Sequence, residues 1–175
     1  TGVQTCALPI YRSVDPGDQQ PGKGKFSSPI YWLAVGFGSG LAPKAPGTAG
    51  TLIAIPLYLL VNELVLWQYI AILITGFVVG VWICDVAARQ LGVHDDPSIV
   101  WDEIIGFLIT MIAAPVGWLW IVIGFVLFRF FDIVKPWPIR MIDQRVSGGM
   151  GIMLDDVLAG IYALVCLQLL ATAIS

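Results

Sequence analysis

Two long runs of this chain, 64–84 and 104–128, carry no charged residue. About 20 consecutive apolar residues match the hydrocarbon thickness of a bilayer, where only a helix or a closed barrel satisfies its own backbone. Such runs leave little room for any fold but an all-α, polytopic membrane bundle. The composition agrees. The chain is 58% hydrophobic and 12% charged, against roughly 25% charged in a soluble domain, and its mean hydropathy is +0.86. The net charge of −3 discriminates little, because the acids are clustered. No basic patch or motif points to nucleic acid. Cys84 and Cys166 lie in apolar runs and read as inert core thiols. Without a Cys-x-x-Cys pair, neither a thiolate metal site nor a disulfide is expected.

Residues 1–28 read as a disordered tail rich in Pro, Gly, Ser, Gln and charge. Residues 1–10 match a translated sequencing adapter, which leaves Cys6 without meaning. Residues 29–175 form the expected single membrane domain. Gly36, Gly38, Gly40, Pro43, Pro46, Gly47 and Gly50 mark an irregular loop. Thr48 is a plausible N-cap for the helix that follows. Ser39, Lys44 and Thr48, among glycines that let backbone N–H groups approach, form a candidate phosphate loop. The same stretch also reads as a tight turn at the membrane surface.

About five helices are expected: 50–62, 64–90, 98–114, 118–135 and 154–174, with Asp96 or Ser98 capping the third. The decisive choice is whether 104–128 crosses once or turns at Pro115-Val116-Gly117. A single crossing puts Asp102-Glu103 and Asp132 on opposite faces. A hairpin puts Glu103 and Asp132 thirteen and sixteen residues from Val116, about 20–24 Å at 1.5 Å per residue, and so at a similar depth. The hairpin is preferred because it gives buried charges partners. It also places all nine Lys and Arg on one side, which the positive-inside rule makes cytoplasmic.

The chemistry gathers on that side. Asp102-Glu103 and Asp155-Asp156 are each an acidic pair at an expected helix start, with Gly106 or Ala159-Gly160 about one turn later to admit a neighbouring helix or ligand. Arg129, Asp132 and Lys135 share one helix face before Pro136. Carboxylates crowded at one depth repel one another, and a hard divalent cation, Mg2+ or Mn2+, resolves the conflict. Asp102, Glu103, Asp132, Asp155 and Asp156 are therefore candidate metal ligands, with Asp102, Glu103, Asp132 and Asp156 also candidates for catalysis. Arg129 and Lys135, with Arg140 and Arg145 nearby, suit a phosphate. Structural ion pairs between helix ends are the plainer alternative. His94 reads as a general acid or base, or as a loop residue beside Asp95 and Asp96. Trp101, Trp118, Trp120 and Trp137 read as interfacial anchors.

These residues resemble the phosphatidylglycerophosphatase A family of bacterial lipid phosphatases. The matching blocks are 36–43 (Gly-Phe-Gly-Ser-Gly-Leu-Ala-Pro), 46–48 (Pro-Gly-Thr), 92–95 (Gly-Val-His-Asp), 99–103 (Ile-Val-Trp-Asp-Glu), 129–139 (Arg-Phe-Phe-Asp-Ile-Val-Lys-Pro-Trp-Pro-Ile) and 148–156 (Gly-Gly-Met-Gly-Ile-Met-Leu-Asp-Asp), followed by Ala159-Gly160. They run in family order. The resemblance implies Mg2+-dependent removal of the terminal phosphate of phosphatidylglycerophosphate, giving phosphatidylglycerol and inorganic phosphate. The expected setting is the bacterial cytoplasmic membrane, in phospholipid biosynthesis. In-line attack by a metal-activated water is the expected mechanism; an aspartyl-phosphate is the rival. One His rules out a two-His phosphohistidine route, and neither Cys-x5-Arg nor Asp-x-Asp is present. A membrane phosphatidyl or phosphoalcohol transferase with a similar site, or a cation carrier, remains the alternative.

Overall fold

The computed structural model describes residues 28–92 and 96–174. They form helices joined by short turns, with no strand among them. The helices are α1 (Pro29–Ala34), a 3-10 segment (Gly36–Leu41), α2 (Pro46–Val61), α3 (Leu66–Leu91), α4 (Trp101–Thr110), α5 (Trp118–Val134), α6 (Ile139–Arg145) and α7 (Gly149–Ile174). The five expected helices correspond to α2, α3, α4, α5 and α7. The short helices α1 and α6 and the 3-10 segment come in addition.

Local chemistry accounts for most boundaries. Pro46 occupies the first turn of α2, where a missing N–H costs nothing. α3 ends on Gly92 with φ +70°, its N–H bonded to the Ala88 carbonyl. The turn between α4 and α5 runs through Pro115-Val116-Gly117, as expected, with Gly117 at φ +131°. α5 stops at Lys135, ahead of Pro136, which disfavours helix in the residue before it.

Three local expectations are corrected. Thr48 does not cap α2: the N-cap is Ala45, and Thr48 lies inside the helix. Neither Asp96 nor Ser98 caps α4; Val100 holds that position, while Asp96 Oδ1 accepts the Ser98 N–H at 2.9 Å in a local turn. α7 begins at Gly149 rather than near 154, so Asp155 and Asp156 lie in its second turn and its first turn has no acid.

α7 is the central helix, packed on α3, α4, α5 and α6. One core joins Phe107, Met111, Phe128, Ile139 and Leu167; a second joins Ile83, Cys84, Ile105 and Met153. α3 and α7 are long and apolar enough to cross a membrane. Large apolar side chains such as Leu60, Val78, Val126 and Leu169 cover the outer surface. Trp118 and Trp137 are exposed at opposite ends of α5. Trp101 departs from the expected anchor role. Its indole N–H donates to the Gly76 carbonyl at 3.1 Å, wedging α4 against α3.

Candidate active site

Gly106 and Gly160 decide where the acids meet. A Cβ on Gly106 would stand 2.8 Å from the Asp156 carbonyl, and one on Gly160 would collide with the Gly106 carbonyl. α4 and α7 therefore cross at backbone contact, the use of small residues anticipated above. Further along, Gln168 of α7 donates to the carbonyls of Ile112 and Ala113, just past the end of α4, so the two helices run parallel. Each acid pair sits about one turn before the shared crossing, and both reach one level. α5 runs the opposite way and brings Arg129 and Asp132 to that level near its end.

The result is a cleft of about 270 Å³ lined by Asp102, Glu103, Asp132, Asp155, Asp156, Arg129 and Lys135, walled by Ala45, Pro46 and Gly47 from the start of α2 and by Pro97 and Ile99. All five expected carboxylates and two of the expected cations thus share one cavity. A larger cavity, about 560 Å³, is an apolar groove between α2 and α3 beside α4 and holds none of these charges.

Two ion-pair systems organise the cleft. Arg129 Nη1 bridges Asp132 Oδ2 at 2.8 Å and Glu103 Oε1 at 3.3 Å, tying the end of α5 to the start of α4. Lys135 Nζ meets Asp155 Oδ2 at 2.6 Å, tying α5 to α7. Most of these side chains are largely buried, and Asp156 is only 3% exposed. Charges buried this deeply cost several kcal/mol each unless attraction and hydrogen bonds offset the lost hydration. The compensation is incomplete: Glu103 Oε2, Asp156 Oδ2 and Arg129 Nε are buried without a hydrogen-bond partner.

Two of the four described non-glycine residues at positive φ lie in the same place, the others being Phe37 and Ala113. Ala45 and Lys135 both adopt left-handed conformations, at φ +49° and +42°, and both line the cleft. Non-glycine residues held there cost free energy and tend to cluster at functional sites. Gly47 is there for space: a Cβ would collide with Glu103 Oε1 and stand 3.0 Å from Arg129 Nη1.

Not every expected site residue comes together. Ser39, Lys44 and Thr48 do not line the cleft. The Ser39 hydroxyl is spent on the Gly36 carbonyl at 2.9 Å within its own turn, and Lys44 is exposed. Arg140 and Arg145 are exposed on α6 and do not line the cleft either. His94 and Asp95 lie outside the described residues. Ala45, Pro46 and Gly47 are the part of the expected phosphate loop that does reach the cleft, while Pro97 and Ile99 are walls that the sequence did not announce. Among the described residues, no three acidic, His or Cys side chains form a ready ligand group; Arg129 and Lys135 pair with Glu103, Asp132 and Asp155 instead.

Comparison with known proteins adds to this geometry. The family model for phosphatidylglycerophosphatase A matches residues 32–171. The chain is 51% identical over 140 residues to phosphatidylglycerophosphatase A of Escherichia coli, covering 79% of this chain and 81% of that protein. It is 47% identical over 143 residues to the Haemophilus influenzae protein of the same name, covering 79% and 86%. It is also 42% identical over 142 residues to a putative phosphatidylinositol-3-phosphatase of Bacteroides thetaiotaomicron, covering 76% and 87%. No solved structure matches the chain. The chain belongs to the phosphatidylglycerophosphatase A family.

Proposed function

We propose that this member of the family hydrolyses the terminal phosphate of phosphatidylglycerophosphate to phosphatidylglycerol and inorganic phosphate. Two relatives at 51% and 47% identity carry that activity in their names. The observation that carries the reading to this chain is the cleft itself, with five carboxylates and two cations at one end of an apolar bundle. The end of the bundle is also where Lys44, Arg89, Arg129, Lys135, Arg140 and Arg145 lie. The positive-inside rule then puts the chain across the bacterial cytoplasmic membrane several times, with the cleft facing the cytoplasm.

In this reading Arg129 and Lys135 bind the non-bridging oxygens of the terminal phosphate, Arg129 through its fork and Lys135 as a point charge. Asp156, the deepest of the acids, accepts a proton from the attacking water as its oxygen bonds to phosphorus. The bond from phosphorus to the glycerol oxygen breaks in line, that oxygen takes a proton from solvent water on the opposite side, and Asp156 releases its own proton to solvent. The donor set fits a hard cation: it is all oxygen, and Glu103 Oε2 and Asp156 Oδ2 are buried without partners. Asp102, Glu103, Asp132, Asp155 and Asp156 would hold Mg2+, which would supply positive charge to the phosphate oxygens and acidify a water.

The test is phosphate release from phosphatidylglycerophosphate by the purified protein, with Mg2+ and with EDTA, beside Asp132→Ala. Release that needs both Mg2+ and Asp132 is expected. Release that survives EDTA and the substitution would remove the carboxylate site from the reaction. Single turnover in oxygen-18 water should label only the phosphate; label in an Asp would replace the attacking water with an aspartyl nucleophile. The name of the Bacteroides thetaiotaomicron relative favours a second reading, another lipid phosphomonoester as substrate, which competition between the two lipids would decide. A carrier fits less well, because the acids gather at one end rather than along a path.

A further inference from the structure

Gly47 is a glycine that its own helix does not need. It lies in the first turn of α2, its φ is not positive, and alanine is the better helix former. The reason for it lies across the cleft. A Cβ on Gly47 would collide with Glu103 Oε1 and stand 3.0 Å from Arg129 Nη1. One turn further on, a Cβ on Gly50 would stand 2.7 Å from Glu103 Oε2 and 2.5 Å from the Cβ of Val100, the N-cap of α4. The two glycines thus set bare backbone against both oxygens of one carboxylate. Thr51, fully buried, keeps that surface in register by donating its hydroxyl to the Gly47 carbonyl at 2.9 Å.

The glycines of this region differ in what they make room for. A Cβ on Gly40 would collide with the Ser98 carbonyl, which is backbone and cannot swing aside, so Gly40 serves the fold. The nearest atoms to a Cβ on Gly47 belong to the Glu103 carboxylate and the Arg129 guanidinium, the ends of two flexible side chains. These can yield at little cost to the fold, but they belong to the site. Arg129 Nη1 is 3.3 Å from Glu103 Oε1 and 2.8 Å from Asp132 Oδ2. A methyl that pushed Glu103 away would leave Asp132 as the main partner of that nitrogen and turn the guanidinium.

We propose that Gly47 is a positioning residue: the bare first turn of α2 sets where the Glu103 carboxylate stands, and through it the direction in which Arg129 offers its guanidinium to the terminal phosphate. The inference rests on the lipid-phosphatase reading of the cleft.

The test is a double-mutant cycle on the full chain in detergent, with Gly47→Ala, Glu103→Asp and the two together. Glu103→Asp withdraws the carboxylate by one methylene and leaves room for the new methyl. Gly47→Ala should lower kcat/KM for phosphatidylglycerophosphate about tenfold alone and less than about twofold in the Glu103→Asp background. Its melting midpoint should not fall. Gly76→Ala is the control, because its Cβ would stand 2.6 Å from Ile105 Cδ1 and reach no charged group; kcat/KM should be unchanged. An equal loss in both backgrounds, a melting midpoint that falls with the activity, or a like loss in Gly76→Ala would make Gly47 a residue of the fold and overturn the proposal.

A signal independent of turnover separates this from the activity itself. Arg129 Nε is buried without a partner, so the resonance of its N–H, identified as the one lost in Arg129→Lys, reports on the guanidinium. It should shift in Gly47→Ala, and Gly47→Ala should add no further shift in the Glu103→Asp background. A wild type that releases no phosphate would sink the lipid-phosphatase reading, and the resonance would still decide the role of Gly47. A signal that Gly47→Ala leaves in place would overturn it whatever the activity.

Discussion

Asp102-Glu103 and Asp155-Asp156 have the same form in the chain, an acidic pair followed about one turn later by a small residue, yet the bundle uses them differently. The first pair opens α4 and lies in its first turn, where negative charge suits the helix dipole. The second lies in the second turn of α7 and gains little from that helix's end. Within each pair the members also part ways. Glu103 is held by Arg129 and Asp155 by Lys135, while Asp156 is the deepest of the buried acids, at 3% exposure against 7% for Asp155 and 8% for Asp102. Local sequence form therefore does not assign a role. The crossing at Gly106 and Gly160 sets the level at which both pairs meet the cations of α5.

The largest effect should come from the crossing. Gly106→Leu or Gly160→Leu forces α4 and α7 apart and should cost about 3 kcal/mol or more, with loss of phosphate release and a lower midpoint in a thermal melt in detergent. A stable, active Gly106→Leu protein would mean that the two pairs do not depend on one crossing. Next come the acids. Asp156→Asn should lower kcat by about a thousandfold, and Asp102→Asn, Glu103→Gln and Asp155→Asn by about a hundredfold with a higher KM. Equal losses across the four would erase the distinction that the depth of Asp156 makes.

The two cations give a smaller contrast. Arg129→Lys keeps the charge but loses the fork that spans Glu103 and Asp132, and should lower kcat/KM about thirtyfold. Lys135→Arg keeps a charge beside Asp155 and should cost about threefold to tenfold. The reverse order would make Lys135 the principal phosphate ligand. The smallest effects belong to the residues that the fold leaves outside the cleft. Ser39→Ala, Lys44→Ala and Thr48→Ala should each stay within about twofold of the wild-type rate, as is usual for substitutions away from a site. A tenfold loss at any of them would return the loop to the phosphate.

Much of the site was legible because charge is so rare in this chain. In an apolar helix each Asp, Glu, Arg or Lys must find a partner or water, so matching their depths across the hairpin at Pro115-Val116-Gly117 was enough to bring five carboxylates, Arg129 and Lys135 to one level. The loop residues Ser39, Lys44 and Thr48 gave no such constraint. A hydroxyl near a glycine satisfies its own turn as readily as a ligand, and Ser39 does so.

The uncharged runs, the acids at one level and the turn between α4 and α5 follow from the sequence alone, because the cost of placing charge or unpaired backbone in hydrocarbon is large and local. Only the tertiary structure decides the rest. Ser147-Gly148-Gly149 reads as loop, yet Gly149 begins α7, because a Cβ there would collide with the Val81 carbonyl of α3: close helix contact outweighs the poor helix propensity of glycine. α6 is short and mixed in polarity, and Ile139 at its start is fully buried in the core. Which acid faces which cation depends on the angle and register of packed helices, and those are set by the shapes of many side chains together rather than by any one stretch.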